Sequence, residues 1–474
     1  MVTRAVREDA RVLLPAGSRL PARARQPLRW ALEQGLPTMA VRRAARGGDL
    51  QARLIVDPGA RRDPYPTLDA LRARGPLVRG RLSWASATHA TCREVLRSDD
   101  FVVGAVGDFL PGPLAPLGRW ARVGAALGPL DPPSLLASNP PEHSRYRRLV
   151  SSVFTARAVE ALRGTVERVA TGLLDDLERA GRAGAVDLVA GYATLLPVTV
   201  IAEILGVPPA ERARVLAFGE AAAPSLDLGL SWREARRVDA ALRGFEAWLG
   251  EHIARLRVAP GEDLLSQLVA AEDEGRPLTD TELKATAGLL LAAGFETTVN
   301  LLGNGVDLLL RHRQQRDRLL AGEGGWAAAV EEVLRVESPV QLTARSVARD
   351  TTIAGQPLRR GDFVATMLAG ANRDPDVFAD PHAFDVGRPN AREHLSFSGG
   401  RHFCLGAALA RVEGEVGLGL LHERFPRLER AGEARRRGTR VLRGWSRLPV
   451  SLGSSSGGGA VARAGSGNAP AADL

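Results

Sequence analysis

A glycine-rich loop that runs directly into an apolar helical pattern limits the folds open to this chain. The stretch from Phe397 to Glu413 reads F-S-G-G-R-H-F-C-L-G-A-A-L-A-R-V-E and contains one cysteine, Cys404. Apolar residues then recur with helical spacing, at Leu405, Ala408, Leu409, Val412 and Val416. We therefore predict that Cys404 lies where a loop turns into a helix.

The residues around this cysteine indicate a ligand site. Free N–H groups and the positive dipole end of a helix start favour a thiolate. Gly399, Gly400 and Gly406 allow tight turns and leave room for a flat ligand against the backbone. A lone thiolate beside Phe397 and Phe403 suits an axial iron ligand better than zinc, which needs three or four ligands at close spacing. The alternative is a buried structural cysteine, a common role for a free thiol.

The loop resembles the haem-binding loop of the cytochrome P450 family, the haem-thiolate monooxygenases. The positions that carry the resemblance are Phe397, Gly400, His402, Cys404 and Gly406. The family usually has glycine where this chain has Ser398, a departure that leaves the ligand untouched. The resemblance implies that Cys404 ligates the iron of haem b and that Phe397, His402 and Gly406 contact the cofactor.

A second motif lies within a long helical pattern from Thr279 to His312. Residues 293–298 read A-G-F-E-T-T. A glycine inside a helix costs about 1 kcal/mol relative to alanine, and adjacent threonines are weak helix formers, so we expect a local opening in the hydrogen-bond ladder. The resemblance implies that Glu296 and Thr297 deliver protons for oxygen activation. The alternative is an ordinary helix whose polar residues face solvent.

The resemblance also implies an apolar pocket above the haem. Ala293 would contact the cofactor, and segments 102–136 and 205–235 would help to enclose the substrate. The side chains expected to line the pocket are Leu289, Ala292, Val340, Gln341 and Leu342. A pocket of this kind suits a lipophilic small molecule.

Two residues near the start of a predicted helix suit an anionic group. His143 and Arg147 are four apart, so they share a helix face and together can bind a carboxylate. The resemblance implies that they bind haem propionates together with Arg345 and His402. For Arg147 and Arg345 taken alone, a surface position is the alternative.

Three further residues are expected to hold the fold together. Glu332 and Arg335 lie three apart on one helix face, a spacing that is common in solvated surface pairs. The resemblance implies instead that they lock onto a downstream segment that ends at Arg388. We assign all three a structural role.

The predicted fold is mostly α with a minor β-rich subregion, the short strands lying between Pro339 and Phe378. The resemblance implies a cytochrome P450 fold, with haem between the long oxygen-activation helix and the helix after Cys404. We predict a disordered basic extension at 1–25, a single domain at 26–453 and a disordered Gly/Ser/Ala tail at 454–474.

Composition excludes some partners and compartments. The net charge is +9, but the arginines are not interleaved with aromatic residues, which argues against nucleic-acid binding. If Cys404 holds iron, Cys92 has no disulfide partner in the chain, which fits a reducing cytoplasm. We find neither a signal peptide nor an unbroken apolar stretch of about 20 residues. We therefore expect a cytoplasmic monomer without a stable membrane anchor.

The function implied by the resemblance is insertion of one oxygen atom from O2 into a C–H bond or a double bond of a lipophilic small molecule, in specialised metabolism. Because the chain has no flavin or iron–sulfur motif, electrons from NAD(P)H would arrive through a ferredoxin and its reductase. The expected docking surface for an acidic ferredoxin is Arg392, Arg401 and Arg411.

Two rival functions stay open. One is a haem-thiolate enzyme that uses peroxide or catalyses coupling or isomerisation. An intact Glu296–Thr297 pair argues against it, because peroxide users have less need of a proton relay. The other is a non-catalytic helical protein that binds a ligand, which colourless protein after haem-supplemented expression would favour.

Overall fold

The computed structural model describes residues 22–104, 115–153 and 156–453. The tail predicted at 454–474 and most of the extension predicted at 1–25 lie outside the described residues. Residues 22–25 belong to the first helix, so helical structure begins before the predicted boundary at residue 25.

The predicted fold class is confirmed, because the described residues form many helices and a few small sheets. The helices that precede the long central helix are α1 (Ala22–Trp30), α2 (Leu36–Arg46), α3 (Leu50–Val56), α4 (Pro58–Arg62), α5 (Tyr65–Arg72), α6 (His89–Arg97), α7 (Ala115–Arg122), α8 (Glu142–Val153), α9 (Ala156–Ala161), α10 (Arg163–Gly181), α11 (Leu195–Ile204), α12 (Arg212–Ala222), α13 (Trp232–Val258) and α14 (Leu264–Ala270). The central helix and those that follow it are α15 (Asp280–Arg311), α16 (Arg313–Leu320), α17 (Trp326–Val336), α18 (Leu368–Ala371) and α19 (Ala407–Arg424).

The strands are short. They are β1 (Val78–Arg79), β2 (Trp84–Ser86), β3 (Phe101–Val102), β4 (Val186–Asp187), β5 (Glu272–Asp273), β6 (Arg276–Pro277), β7 (Thr343–Val347), β8 (Thr351–Ile353), β9 (Gln356–Leu358), β10 (Phe363–Thr366), β11 (Glu429–Arg430), β12 (Arg435–Arg436), β13 (Trp445–Arg447) and β14 (Pro449–Ser451). The largest sheet has the order β1-β2-β10-β7-β3, with β10 parallel to β2 and antiparallel to β7. Four strands, β7 to β10, lie in the region between Pro339 and Phe378 where strands were predicted.

Helix α15 has strong start and stop signals. The Thr279 hydroxyl accepts from the Glu282 N–H, and the Glu282 carboxylate accepts from the Thr279 N–H, so the two residues form a capping box. Asp280 in the first turn and Arg311 in the last both complement the helix dipole. Among the described residues, α15 is the one helix with the length and apolar character of a membrane span, and 59% of its apolar window is buried inside the protein. That burial is typical of a core helix.

The opening predicted inside α15 is wrong, because the α-helix is continuous from Asp280 to Arg311. The hydroxyl groups of the two threonines donate hydrogen bonds to backbone carbonyls of the preceding helical turn. The Thr297 hydroxyl donates to the Ala293 carbonyl at 2.9 Å, and the Thr298 hydroxyl donates to the Gly294 carbonyl at 3.2 Å. These side-chain bonds satisfy the hydroxyls without interrupting the backbone ladder.

Two glycines let α19 approach its neighbours closely. A Cβ at Gly414 would lie 3.1 Å from Leu301 of α15 and from Val330 of α17, and a Cβ at Gly417 would lie 2.8 Å from Leu302. Larger residues would push the helices apart. The helix that follows the cysteine loop is therefore held at a fixed distance from α15.

The interior contains two main apolar clusters, and α15 belongs to both. The lower cluster is built around α10, α17, α19 and the C-terminal half of α15, which contributes Leu301 and Val306. The upper cluster is built around α8, α11, α13, α14 and the N-terminal half of α15, which contributes Leu283 and Leu291. The middle of α15, where the A-G-F-E-T-T motif lies, is therefore at the junction of the two clusters.

The C-terminal hairpin, formed by β12 and β13 with the loop between them, lies directly on α15. A Cβ at Gly444 would fall 1.9 Å from the Asn300 Oδ1 atom, so only glycine allows this approach. The tip of the hairpin is anchored separately, because the buried Asp227 carboxylate accepts from the backbone N–H groups of Arg440 and Val441 at 3.0 Å each. The hairpin is thus held at both its base and its tip.

Candidate active site

Cys404 lies between a 3₁₀ turn at Gly400–His402 and the start of α19. Its N–H donates to the Phe397 carbonyl at 3.0 Å, which closes the loop, and Gly406 is the N-cap of α19. The predicted position of Cys404, at the transition from loop to helix, is observed. Its side chain is exposed.

The protonation of this thiol differs from the sequence-based expectation. Desolvation by the surrounding protein raises the pKa of Cys404, and the Gly406 N–H together with Arg147 and Arg411 opposes that rise only in part. The helix start therefore does not by itself stabilise a thiolate here. A cation bound directly to the sulfur would be needed to hold the deprotonated form.

Two loop residues adopt the left-handed conformation. Ser398, at the position where the family usually has glycine, has φ of 61°, so a glycine would be less strained there. Gly400 has φ of 62°, and a Cβ on it would lie 2.3 Å from the Leu96 carbonyl oxygen and 3.0 Å from Arg97 Cα. The loop is thus pressed against the end of α6.

Replacing Gly400 by alanine is expected to lower the free energy of unfolding by roughly 1–3 kcal/mol, because the new methyl group must push the loop away from α6. Urea denaturation of the purified protein would measure this change. Gly438→Ala is the matched control, since a Cβ at Gly438 meets no atom within 4 Å. Equal stability of the two variants would contradict the close contact with Leu96.

His143 and His402 meet beside the cysteine loop. Their ring centroids are 4.2 Å apart, and the Nε2 atom of each is buried without a hydrogen-bond partner among the described residues. The pKa of His143 is lowered to about 4, mainly by burial and next by the charge of the nearby Arg147. The pKa of His402 is lowered to about 3, mainly by burial and next by the charge of the nearby Arg345. Both imidazoles are therefore neutral near pH 7, and the Nε2 atom of each is available to donate or accept a hydrogen bond from a ligand.

Arg345 lies next to this pair and carries an uncompensated charge. It is buried and donates to the Thr343 hydroxyl at 3.0 Å and to the Ala344 carbonyl at 2.9 Å, with the Ser398 hydroxyl at 3.5 Å. No carboxylate of the described residues lies within ion-pair distance, and burial lowers the pKa of Arg345 to about 10. Arg147 donates to the Phe403 carbonyl at 2.8 Å.

These residues fit a haem. A buried guanidinium and two neutral imidazoles with unsatisfied nitrogens need an anionic partner, and the propionates of a haem are such a group. A Cβ at Gly406 would meet nothing within 4 Å, which leaves open space along the backbone next to the cysteine. A thiol, an anion-binding cluster and open space at one loop are what a haem-thiolate site requires.

The residues predicted on α15 divide by exposure. Ala293 is exposed and Thr297 and Ala292 are half-buried, so this stretch of the core helix has one open face. Leu289 is half-buried and packs against the upper cluster. Glu296 is buried, and its carboxylate lies 2.9 Å from Arg437 Nη1.

The pocket predicted from residues 340–342 differs from the observed arrangement. Gln341 is 7% exposed, and its amide donates to the Ser338 carbonyl at 2.7 Å. Val340 pairs with Leu442 and packs against an interior cluster, and Leu342 packs against another. Gln341 is turned inward because its backbone N–H is bonded to the hairpin, so it does not line an open pocket.

The three residues assigned a structural role are brought together. Arg335 donates to Glu332 at 2.7 and 2.8 Å, and Arg388 donates to the same carboxylate at 3.1 Å. The Glu332 and Arg335 side chains have no exposed surface, so the solvated-pair alternative does not describe them. The group ties α17 to the segment that leads into the cysteine loop.

Two residues that contact the A-G-F-E-T-T stretch of α15 were not predicted from the sequence. Glu413 is buried on α19 against Thr298, and burial raises its pKa to about 8. It falls between Val412 and Val416 on the apolar side of α19, so the helical spacing could have revealed it. Arg437 lies far from Glu296 along the chain, and no local pattern links the two.

The three arginines expected to dock a redox partner differ in exposure. Arg411 pairs with the buried Glu331 at 2.6 Å and lies over the Phe397 ring. Arg401 pairs with Asp99. Arg392 keeps 78% of its side chain exposed and lies 3.7 Å from Glu331. Only Arg392 therefore presents most of its charge to solvent.

Comparisons with known proteins agree with this arrangement. The family model described as cytochrome P450 matches residues 326–434. A protein of Mycobacterium tuberculosis named cytochrome P450 140 is 54% identical over 423 residues, which are 89% of this chain and 95% of that protein. The polyketide biosynthesis cytochrome P450 PksS of Bacillus subtilis is 40% identical over 322 residues, which are 67% of this chain and 77% of that protein.

Solved structures give the same result for the fold. The structure of PksS has a TM-score of 0.73 and 34% identity, and the alignment covers 83% of this chain and 98% of that one. The structure of P450BioI, in complex with an acyl carrier protein that is ligated to hexadec-9Z-enoic acid, has a TM-score of 0.74 and 31% identity. That alignment covers 83% of this chain and 99% of the solved chain.

Proposed function

The chain belongs to the cytochrome P450 family and is a cytochrome P450 monooxygenase, and we propose that it inserts one oxygen atom from O2 into a C–H bond or a double bond of a lipophilic small molecule. The observation that carries this proposal is the cluster of His143, His402 and Arg345 beside the Cys404 loop, whose imidazole nitrogens lack hydrogen-bond partners and whose guanidinium lacks a carboxylate partner among the described residues. It acts in the cytoplasm, in specialised metabolism.

Haem b would be held by residues from three parts of the chain. Cys404 would ligate the iron, and His143, Arg147, Arg345 and His402 would bind the propionates. When bound, the haem supplies the redox chemistry that oxygen transfer requires. The cofactor would lie between α15 and α19, and the close packing at Gly414 and Gly417 sets the separation of these two helices.

Protons are supplied from α15. The Thr297 hydroxyl is half-buried on the open face of the helix, and its bond to the Ala293 carbonyl fixes its position. Burial raises the pKa of Glu296 to about 7, so this acid exists in both protonation states near neutral pH. A group with that property is suited to proton transfer.

The substrate is lipophilic because the open face of α15 is built from small and apolar residues. Leu289, Ala292 and Ala293 form that face together with Thr297. Specialised metabolism is supported by the likeness to PksS, which is named for polyketide biosynthesis. Residues 105–114, part of the segment expected to enclose the substrate, lie outside the described residues.

Electrons come from NAD(P)H through a ferredoxin-type partner. Arg392 is the best candidate for the docking contact because most of its side chain is exposed near the cysteine loop. Arg401 and Arg411 are engaged with Asp99 and Glu331, so they contribute less free charge. A loss of salt dependence in electron transfer after Arg392→Glu would support this assignment.

The oxygenase reaction is tested by isotope labelling. A library of lipophilic compounds is first screened for shifts in the haem spectrum, and the hits are then turned over under 18O2 with NADPH, ferredoxin and reductase. One 18O atom per product molecule is expected. Turnover with hydrogen peroxide alone, and none with the electron-transfer chain, would favour the peroxide-using alternative.

Thr297→Ala is expected to uncouple the reaction. NADPH oxidation should continue, but hydrogen peroxide should replace most of the product, because the hydroxyl that positions the proton is lost. Product and peroxide per NADPH measure the effect, with a loss of coupling of about ten-fold or more. Thr297→Ser keeps the hydroxyl and serves as the control. Wild-type coupling in the alanine variant would contradict the assigned role.

A further inference from the structure

Residues 22–35 form an arm at the start of the described structure. The arm consists of α1 and a π-helical turn at Ala31–Gly35, and it continues directly into α2. Helix α2 is fixed to the rest of the protein, because Val41 and Ala44 pack with Ala52 of α3 in an apolar cluster. The arm therefore extends from a firmly seated base.

The arm contacts residues 115–131, the stretch that contains α7. The Arg25 guanidinium donates to the Trp120 carbonyl at 3.1 Å and lies 5.4 Å from the centre of the Trp120 ring. Glu33 Oε1 lies 3.3 Å from Arg122 Nη1, an ion pair that lacks hydrogen-bond geometry. Arg122 also pairs with Asp131 of the same stretch. These contacts reach part of the segment 102–136 that is expected to enclose the substrate.

The arm also contacts the connection between α12 and α13, at residues 223–231. The Trp30 indole N–H donates to the Leu230 carbonyl at 2.8 Å, and the Trp30 ring meets the Trp232 ring edge to face with centroids 6.0 Å apart. The Gln34 side-chain oxygen accepts from the N–H groups of Gly229 and Leu230 at 2.7 and 3.1 Å. This connection belongs to the second segment expected to enclose the substrate, 205–235.

One carboxylate joins all three pieces of chain. Asp239 of α13 pairs with Arg29 of the arm, and the two side chains are 11% and 16% exposed. Asp239 also accepts from Arg243 Nε at 2.9 Å, and Arg243 donates in turn to the Gly124 carbonyl at 3.1 Å. The arm, α13 and residues 115–131 are therefore linked through this side chain.

The three pieces of chain border a polar cavity of about 110 Å³. Its lining includes Arg29 and Glu33 from the arm, Arg122 and Asp131 from residues 115–131, and Asp239 from α13. A cavity of this size and polarity has room for several water molecules. Ion pairs around a hydrated cavity stabilise a contact less than a packed apolar core does. The junction is therefore suited to opening and closing.

We propose that the arm ties residues 115–131 to the connection between α12 and α13, and thereby limits the size of the molecules that reach the site. A small molecule passes while the arm holds the two segments together. A bulky molecule enters only when the polar contacts of the arm break and the segments separate. The inference rests on the proposed function, in which these segments enclose the substrate.

The ion pairs of the arm can be removed without leaving a buried charge unpaired. In Arg29→Gln, Asp239 keeps its partner Arg243. In Glu33→Gln, Arg122 keeps its partner in residues 115–131. The double variant should therefore fold, because each remaining charge retains an oppositely charged neighbour.

The test compares the binding of a small and a bulky azole to the haem iron of the holoenzyme. Imidazole and clotrimazole both bind through a ring nitrogen, and stopped-flow measurement of the Soret shift gives their association and dissociation rates. In the double variant Arg29→Gln/Glu33→Gln we expect both clotrimazole rates to rise by about five-fold or more, with the imidazole rates unchanged. Because both azoles report on the same iron, a difference between them arises at the entrance.

Amide hydrogen exchange provides a readout that does not involve the haem. In the double variant we expect faster exchange at residues 115–131 and 223–231, and unchanged exchange in α19. Arg43→Gln is the matched control, since Arg43 is an exposed arginine on α2. It should leave the azole rates and the exchange at their wild-type values.

Unchanged clotrimazole rates, or equal acceleration of the two azoles, overturn the proposal. Unchanged exchange in the two segments, or the same changes in Arg43→Gln, also overturn it. If the double variant does not fold, Trp30→Phe decides by the same criteria, because it removes only the donor to the Leu230 carbonyl. Failure of the proposed function would look different, since neither azole would then shift a Soret band, whatever the exchange shows.

Discussion

Cys404→Ser is expected to abolish the red-shifted Soret band that a reduced, carbon monoxide-bound haem-thiolate protein shows, and to abolish oxygen insertion. The serine hydroxyl is a poor iron ligand because it stays protonated near neutral pH. The electron donation that favours O–O cleavage is then lost. The difference spectrum of the dithionite-reduced protein measures the first effect, and product formation measures the second.

Cys92→Ser is the control for this substitution. Cys92 is fully buried on α6 and its thiol contacts the Ser86 carbonyl at 3.3 Å, so serine can keep that contact. Its spectrum should be that of the wild-type protein. A wild-type spectrum in Cys404→Ser would mean that the iron ligand lies elsewhere in the chain.

Glu332→Gln is expected to lower the free energy of unfolding by about 3–5 kcal/mol, because it leaves buried guanidinium charge without a carboxylate. Arg335 would still donate to the carbonyls of Asn372, Pro381 and Ala383, but it would keep only one of its two bonds to residue 332, because a glutamine amide has one acceptor oxygen where the carboxylate has two. Arg388 would share that remaining oxygen and would lose its ionic partner. Urea denaturation and the haem content of the purified protein both report this loss.

The exposed Glu323 provides the comparison. Its side chain is 66% exposed and lies 3.8 Å from Arg318, so Glu323→Gln should change stability by less than about 1 kcal/mol. If the two glutamine variants were equally stable, the buried cluster around Glu332 would not stabilise the fold.

Features carried by local spacing could be predicted from the sequence. The transition from loop to helix at Cys404 follows from a glycine-rich segment next to a helical apolar pattern. The long helix follows from the helical pattern that runs from Thr279 to His312. The partnership of Glu332 and Arg335 follows from their three-residue spacing, although only the resemblance to a family indicated that the pair is buried.

Features that depend on contacts between distant segments could not be predicted in the same way. The Glu296–Arg437 pair joins the middle of the chain to its C-terminal hairpin, and no periodicity links them. The inward turn of Gln341 results from a backbone bond to that hairpin. The raised pKa of Cys404 results from desolvation by the surrounding protein, whereas its position at a helix start alone predicts a lowered pKa.

In the middle of α15, side-chain hydrogen bonds and packing outweigh the weak helix propensity that led us to expect an opening. Glycine and two threonines weaken a helix, but each threonine hydroxyl donates to a carbonyl four residues back, and the helix stays continuous through the motif. Tertiary packing outweighs intrinsic propensity in a helix of this length.

The division of the interior into two clusters has a consequence for the enzyme's capacity to diversify. The cysteine helix is seated in the lower cluster, whereas the helices expected to enclose the substrate are seated in the upper one. The helices that belong to both clusters include α11, with Leu196 in the lower one and Ile201 in the upper one, and α15, whereas α12 and α13 contribute to the upper cluster alone. Mutations on α12 and α13 should therefore be largely additive with those that stabilise the lower helices, and a library built on these two helices can explore new substrates while the machinery around the cysteine stays intact.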